Sequence, residues 1–169
     1  DDGSLEKLKS ISKEKTNIRV LALSKNFGQT PAIQAGFDNA YGKYYVTLDS
    51  DLQNDPKDIP LIINKLIQED LDLVVGWRKQ RKDNFFMRNL PSMIANNLIG
   101  MITKVKLNDY GCSLKAYNSE ILKEVKLYGE MHRFIPAWMA TKIPPHKIDE
   151  VEVRHHPRIA GESKYGISR

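Results

Sequence analysis

Apolar and polar residues along the chain fall into short segments whose period changes. Asn17–Leu23 (NIRVLAL) and Lys43–Leu48 (KYYVTL) are short apolar runs that predict buried strands, and Asp72–Gly76 (DLVVG) predicts another. Ile148–Val153 (IDEVEV) alternates with the period of two of a half-exposed strand. Between these runs, Gln29–Ala40 predicts a helix with Ala32, Ile33, Ala35 and Gly36 on its packing side. Pro56–Gln68 predicts a second helix, with Asp55 as N-cap and Pro56 at the first helical position. After Gly76 the pattern changes. Asn84–Lys104 is long, apolar and helical in pattern, with an interruption near Pro91. Asp109–Tyr117 mixes turn and strand signals, Asn118 opens a short helix through Val125, and Met131–Thr141 predicts another. Strands separated by helices of these lengths predict an α/β domain with a mostly parallel sheet flanked by helices. No repeat or linker divides it, so residues 1–169 read as a single domain. Ligands on such sheets sit outside the carboxyl ends of the strands.

Composition narrows the classes. With 169 residues, 41% of them hydrophobic, the chain is large and apolar enough for a core, which excludes disorder as the main description. A single cysteine, Cys112, excludes a disulfide scaffold and suits a reduced, cytosolic setting. The net charge of +5 points to an anionic partner. No aromatic–basic motif of a nucleic-acid module is present, so nucleic acid is not an expected partner. The most apolar window, Asn89–Thr103, is uncharged but contains three Asn, a Pro and a Gly, and is shorter than the roughly 20 residues of a spanning helix. The chain opens on Asp1-Asp2-Gly3-Ser4 with no strand before it. We expect a first strand to be missing and the chain to be a piece of a longer protein.

Candidate chemistry gathers at predicted strand ends. In Leu48-Asp49-Ser50-Asp51-Leu52-Gln53, residues two apart on a strand face the same side, so Asp49 and Asp51 converge where the strand ends. Two carboxylates and the Gln53 amide oxygen suit a hard cation, Mg²⁺ or Mn²⁺; a polar turn is the plainer reading. Asp1 and Asp2 either cap a helix or bond to a base or ribose. Asn26-Phe27-Gly28-Gln29 reads as a strand-to-helix turn in preference to an anion site at the helix N–H groups. Gly76-Trp77-Arg78-Lys79-Gln80-Arg81-Lys82 is either a solvated face or a phosphate clamp. Asp109 lies in a glycine turn, as a turn-former or a base. Arg154-His155-His156-Pro157-Arg158 and Gly161-Glu162-Ser163-Lys164-Tyr165 form a basic loop. Phe85, Phe86, Met87, Leu90, Met93, Ile94, Leu98, Ile99 and Ile102 form an amphipathic stretch that suits either a core or a membrane surface.

Together these motifs, in this order, resemble family 2 glycosyltransferases, and more closely the polyprenyl-phosphate group that includes the dolichyl-phosphate mannosyltransferases and bactoprenyl glucosyltransferases. The resemblance implies a GT-A fold, a nucleotide-sugar donor, a UDP-sugar in preference to GDP-mannose, and a polyprenyl phosphate acceptor at the cytoplasmic membrane face. It implies that Asp1 and Asp2 contact base or ribose and that Asp49, Asp51 and Gln53 hold the metal and diphosphate. It implies donor contacts from Arg78, Arg81 and Ser163, and catalytic work by Asp109, Arg158 and Lys164, with inversion through a single displacement. The resemblance allows membrane helices after the Ser-Lys-Tyr loop in the parent protein, and a homo-oligomer. The alternatives are a glycosyltransferase with a saccharide or protein acceptor, a nucleotidyltransferase, and a basic nucleic-acid-binding module.

Overall fold

The computed structural model describes residues 3–79, 100, 101 and 103–157. Asp1, Asp2, Arg81, Arg158, Ser163, Lys164 and most of the amphipathic stretch, from Phe85 to Ile99 together with Ile102, lie outside the described residues.

Four strands form one sheet in the order β1–β3–β2–β4: β1 Tyr44–Thr47, β2 Leu73–Trp77, β3 Lys115–Asn118 and β4 Ile148–Glu152. β3 is antiparallel to both β1 and β2, whereas β2 and β4 are parallel. Three strands therefore share one direction, as expected, and β3 alone runs against them. Leu73, Val74 and Val75 of β2 are fully buried, the continuous apolar run of a strand covered on both faces.

Helix α3 (Ile59–Gln68) packs on β2 and β3. Its inward residues Ile59, Ile62, Ile63 and Leu66 follow the helical period, while Leu61 and Ile67 on the other side are exposed. Burying Ile62 and Leu66 contributes about 1.5–3 kcal/mol each. The helix entry follows the sequence: Asp55 caps a 3₁₀ turn, Pro56–Asp58, by accepting the Lys57 N–H at 2.9 Å. Helix α2 (Gln29–Asn39) rests Phe37 edge-on against Tyr117, at 5.4 Å between ring centres, and alongside Tyr45 at 6.2 Å. Ile33 packs on the core as predicted, but Ala32 is exposed. Helix α1 (Ser4–Glu14) starts from Gly3, in the left-handed region at φ 74°, and no side chain caps it.

The strand predicted over Asn17–Leu23 does not form. Residues 18–23 form no regular element and belong to no ladder among the described residues, and Leu21 and Leu23 are 42% and 41% exposed. An apolar run becomes a strand only where a neighbour supplies hydrogen bonds, and among the described residues β1 pairs with β3 alone. Arg19 ties the segment elsewhere, donating to the Asn39 carbonyl at 3.0 Å and lying over the Tyr41 ring at 4.8 Å. The helix predicted from Asn118 is a single turn, Ser119–Leu122, capped by the Asn118 side chain. The helix predicted over Met131–Thr141 splits into a 3₁₀ turn, Met131–Arg133, and Ile135–Met139. Pro136 lacks the N–H that a continuous helix would use.

Gly76 sits in β2 where an added Cβ would stand 2.9 Å from Val153 Cγ2 and 3.1 Å from both Cys112 Sγ and the Leu114 carbonyl oxygen. Gly36, inside α2, faces open space. Gly76→Ala should therefore destabilise by about 1–3 kcal/mol in urea denaturation. Gly36→Ala should stabilise by up to about 1 kcal/mol. Similar effects at the two positions would contradict this packing.

Candidate active site

β1, β2 and β4 end on the same side of the sheet, and β3 begins there. Their terminal segments and the turn leading into β3 build the site.

β1 ends at Thr47, whose hydroxyl donates to the Ser113 carbonyl at 2.7 Å. The chain then runs through Asp49 and Asp51 in a tight loop, closed by the Gln53 N–H donating to Asp51 Oδ1 at 3.1 Å. Leu52, between them, has φ 61°, a left-handed conformation that costs a leucine about 1–2 kcal/mol. The surroundings over-determine that loop. The Gln53 carbonyl accepts the His156 N–H at 2.8 Å. Buried Asn54 donates to Ser113 Oγ at 2.9 Å, accepts the Cys112 thiol at 3.6 Å, and pairs with His155 in an isolated antiparallel bridge.

The chain leaving β4 is stapled to the same loop. Asp58, 5% exposed, accepts the Arg154 backbone N–H at 2.7 Å and its guanidinium at 2.9 and 2.5 Å. Asp55 receives the other side of Arg154 at 3.3 Å and His156 at 3.4 Å. The Lys57 backbone N–H, aided by His156 and Arg154, holds the Asp55 carboxyl below the usual carboxylate range. His156 thus docks this loop through its backbone and side chain, and His155 through its backbone bridge to Asn54.

Arg78, just past β2, forms a two-pronged ion pair with Asp109: Nε to Oδ2 at 2.6 Å and Nη2 to Oδ1 at 2.9 Å. Their side chains are 13% and 8% exposed, so most of this pair is withdrawn from water. Asn108 is anchored in turn by donating its backbone N–H to Glu150 at 2.7 Å. Burial pushes the Glu150 carboxyl above its usual range, with the Asn108 hydrogen bonds opposing that shift. Burial also raises the Cys112 thiol, which packs in the core and donates to Asn54. Lys115, 3% exposed, begins β3 and donates to the Cys112 carbonyl. Burial lowers its pKa, while the charges of Asp109 and Asp49 favour its ionised form and that of Arg78 opposes it.

Asp49 accepts a hydrogen bond on Oδ1 from the Gln29 side chain at 2.9 Å. Gln29 opens α2 behind Gly28, whose φ of 90° is open to glycine and whose N–H is taken by Asn26 Oδ1 at 2.9 Å.

Of the predicted site residues, Asp49, Asp51, Gln53, Arg78 and Asp109 are all found at this end of the sheet. Asp1, Asp2, Arg81, Arg158, Ser163 and Lys164 are outside the described residues. Sequence reasoning missed Gln29, Arg154 and Lys115. Among the described residues no group of three His, Cys, Asp or Glu side chains converges to hold a metal ion. The donors present are two half-buried carboxylates and an amide, hard oxygen ligands that fit Mg²⁺ or Mn²⁺ when phosphate oxygens and water complete the shell.

The chain is 56% identical to dodecaprenyl-phosphate galacturonate synthase of Rhizobium johnstonii, over 100% of this chain and 52% of the relative. It is 38% identical to undecaprenyl-phosphate 4-deoxy-4-formamido-L-arabinose transferase of Edwardsiella ictaluri, over 100% of this chain and 52% of that relative. It thus spans about half the length of these curated relatives. Glucosyl-3-phosphoglycerate synthase from Mycobacterium tuberculosis, solved with Mn²⁺, UDP-glucose and phosphoglyceric acid, superimposes with a TM-score of 0.61 at 18% identity, covering 94% of this chain and 57% of that one. That likeness concerns fold, and agrees with the GT-A architecture expected from sequence. The model of glycosyl transferase family 2 matches residues 1–126, and with three-quarters of its length inside that match the chain belongs to this family.

Proposed function

We propose that the chain is the catalytic part of an inverting glycosyltransferase that moves a sugar from a nucleotide-sugar donor to a polyprenyl phosphate at the cytoplasmic face of a membrane. The observation that carries this reading is Asp49 at the end of β1, with Oδ1 held by Gln29 and no partner on Oδ2 among the described residues. The names of both curated relatives, each a polyprenyl-phosphate enzyme, support the acceptor. The 56% identical relative is named for galacturonate, which favours a hexuronic acid as the sugar; UDP as its carrier is part of the proposal. No helix of the described residues is long and apolar enough to cross a membrane.

Asp49, Asp51 and Gln53 would hold the divalent cation and, with it, the donor diphosphate. When bound, that cation offsets charge on the departing nucleoside diphosphate. Arg78 adds a fixed positive charge at the end of β2, and Asp109 sets its orientation through both carboxylate oxygens. Asp1 and Asp2 are assigned to the base and ribose, Arg81 and Ser163 to the donor phosphates, and Arg158 and Lys164 to the acceptor phosphate.

The acceptor needs little help to become a nucleophile. A phosphate monoester has a second pKa of about 6 and is largely ionised at pH 7. Both Asp109 oxygens already accept hydrogen bonds from the Arg78 guanidinium, which favours a fixed orientation. Its part is therefore orientation, not general base catalysis.

Two outcomes follow for the full-length protein. Asp51→Ala should weaken Mn²⁺-dependent binding of a nucleoside diphosphate, measured by calorimetry, by more than the roughly 10–100-fold typical of outer-shell changes. Its thermal midpoint should stay within a few degrees of wild type; equal affinity in both proteins, with and without chelator, would remove the metal assignment. Asp109→Asn should lower kcat on the order of 10²-fold at saturating donor. The acid limb of the pH–rate profile should remain near the acceptor's second pKa of about 6 in both proteins. An acid limb that disappears in the variant would identify Asp109 as a base.

A further inference from the structure

Gln29 lies in a segment that reads from sequence as a simple strand-to-helix turn, and nothing above gives it a part in the reaction. Its side-chain Nε2 donates to Asp49 Oδ1 at 2.9 Å, across 20 positions of sequence. The helix turn that carries it is itself pinned. Thr30, the only buried residue of α2, shares a 2.6 Å hydrogen bond between Oγ1 and His132 Nδ1, 102 positions away. The His132 backbone N–H approaches the same hydroxyl at 3.4 Å. Thr30 is 1% exposed and His132 9%, so water competes little for this contact. Gly28 turns the chain into the helix just before Gln29, leaving the amide at a fixed point over the end of β1.

We infer that Gln29 is a positioning residue for the cation site: its amide fixes the rotation of the Asp49 carboxylate and leaves Oδ2 as the oxygen offered to the divalent ion. The inference rests on the function proposed above. The chemistry favours an amide here. A carboxylate bonded on one oxygen by a neutral donor keeps its full negative charge for the metal, whereas a lysine in the same place would pair with it and compete with the cation. A residue with no donor would let the carboxylate rotate and lose its preset geometry. The Thr30–His132 contact acts one step further out, as the anchor of the helix turn.

The test uses the full-length protein with Mn²⁺ and a nucleoside diphosphate. Free Mn²⁺ is followed by electron paramagnetic resonance, and the thermal midpoint is measured without metal. Gln29→Met keeps the size and apolar stem but cannot donate, and it should raise the Mn²⁺ Kd roughly 10–100-fold, the usual effect of losing an outer-shell partner. Its metal-free thermal midpoint should move by no more than a few degrees. Gln29→Lys retains a donor but adds a charge, and should weaken Mn²⁺ binding at least as much while folding normally. If Gln29→Met does not fold, the lysine variant decides alone. Wild-type Mn²⁺ affinity in the folded variants would overturn the inference and leave Gln29 a structural tie. Absence of Mn²⁺-dependent nucleotide binding in the wild type would instead overturn the proposed function on which the inference stands.

Discussion

The site depends on one topological constraint, the reversal of β3 between β1 and β2. Three strands running one way deliver their carboxyl ends to one edge, and a strand inserted against them must begin at that edge. The turn from Asp109 to Leu114 therefore lies beside the loop after β1 and the residue after β2, although these are far apart in sequence. Ser113 bonds to both Thr47 and Asn54, and Asp109 bonds to Arg78, so the turn is held from two strand ends at once. A ladder hydrogen bond from the Gly76 N–H to the Leu114 carbonyl, 2.9 Å, sets the depth of the turn. Gly76 has no side chain, which lets Cys112 and Val153 close over that point.

This arrangement withdraws charge from water. Arg78, Asp109 and Lys115 are all buried or nearly so, and an ion pair in such a place gives little net stability because desolvation offsets attraction. What it provides is orientation: two hydrogen bonds between planar groups leave the guanidinium little freedom. The contrast with Arg154 is informative. That residue is half exposed and bonds to the carboxylates of Asp55 and Asp58, so it fastens the segment after β4 to the turn that opens α3.

Much of the frame was legible because it is local. The inward positions of α3 recur at helical spacing, β2 is an unbroken apolar run, and Asp55-Pro56 announces a helix start. Asp49 and Asp51 lie in the turn just past β1 rather than on the strand, so the period of two that placed them on one side does not apply to them. The strand expected over Asn17–Leu23 failed because hydrophobicity describes what a segment would bury, not whether a partner lies alongside. Arg78–Asp109, Arg154–Asp58 and Gln29–Asp49 were invisible for a related reason: each joins residues far apart in the chain, where spacing carries no signal. Asp109 reads equally well as a turn-former or a base, and its two bonds to Arg78 carry no signal in the sequence. Gln29 followed a glycine at a helix start, where an ordinary capping turn explains the sequence equally well.

The most direct measurement is of the product. The full-length protein would be incubated with a UDP-hexuronic acid, Mn²⁺ and a short polyprenyl phosphate, and the lipid fraction examined by NMR. Transfer as proposed yields a polyprenyl phosphate glycosylated on phosphate oxygen, with anomeric configuration opposite to that of the donor. A retained configuration, or transfer to a saccharide hydroxyl while the polyprenyl phosphate is left untouched, would contradict it.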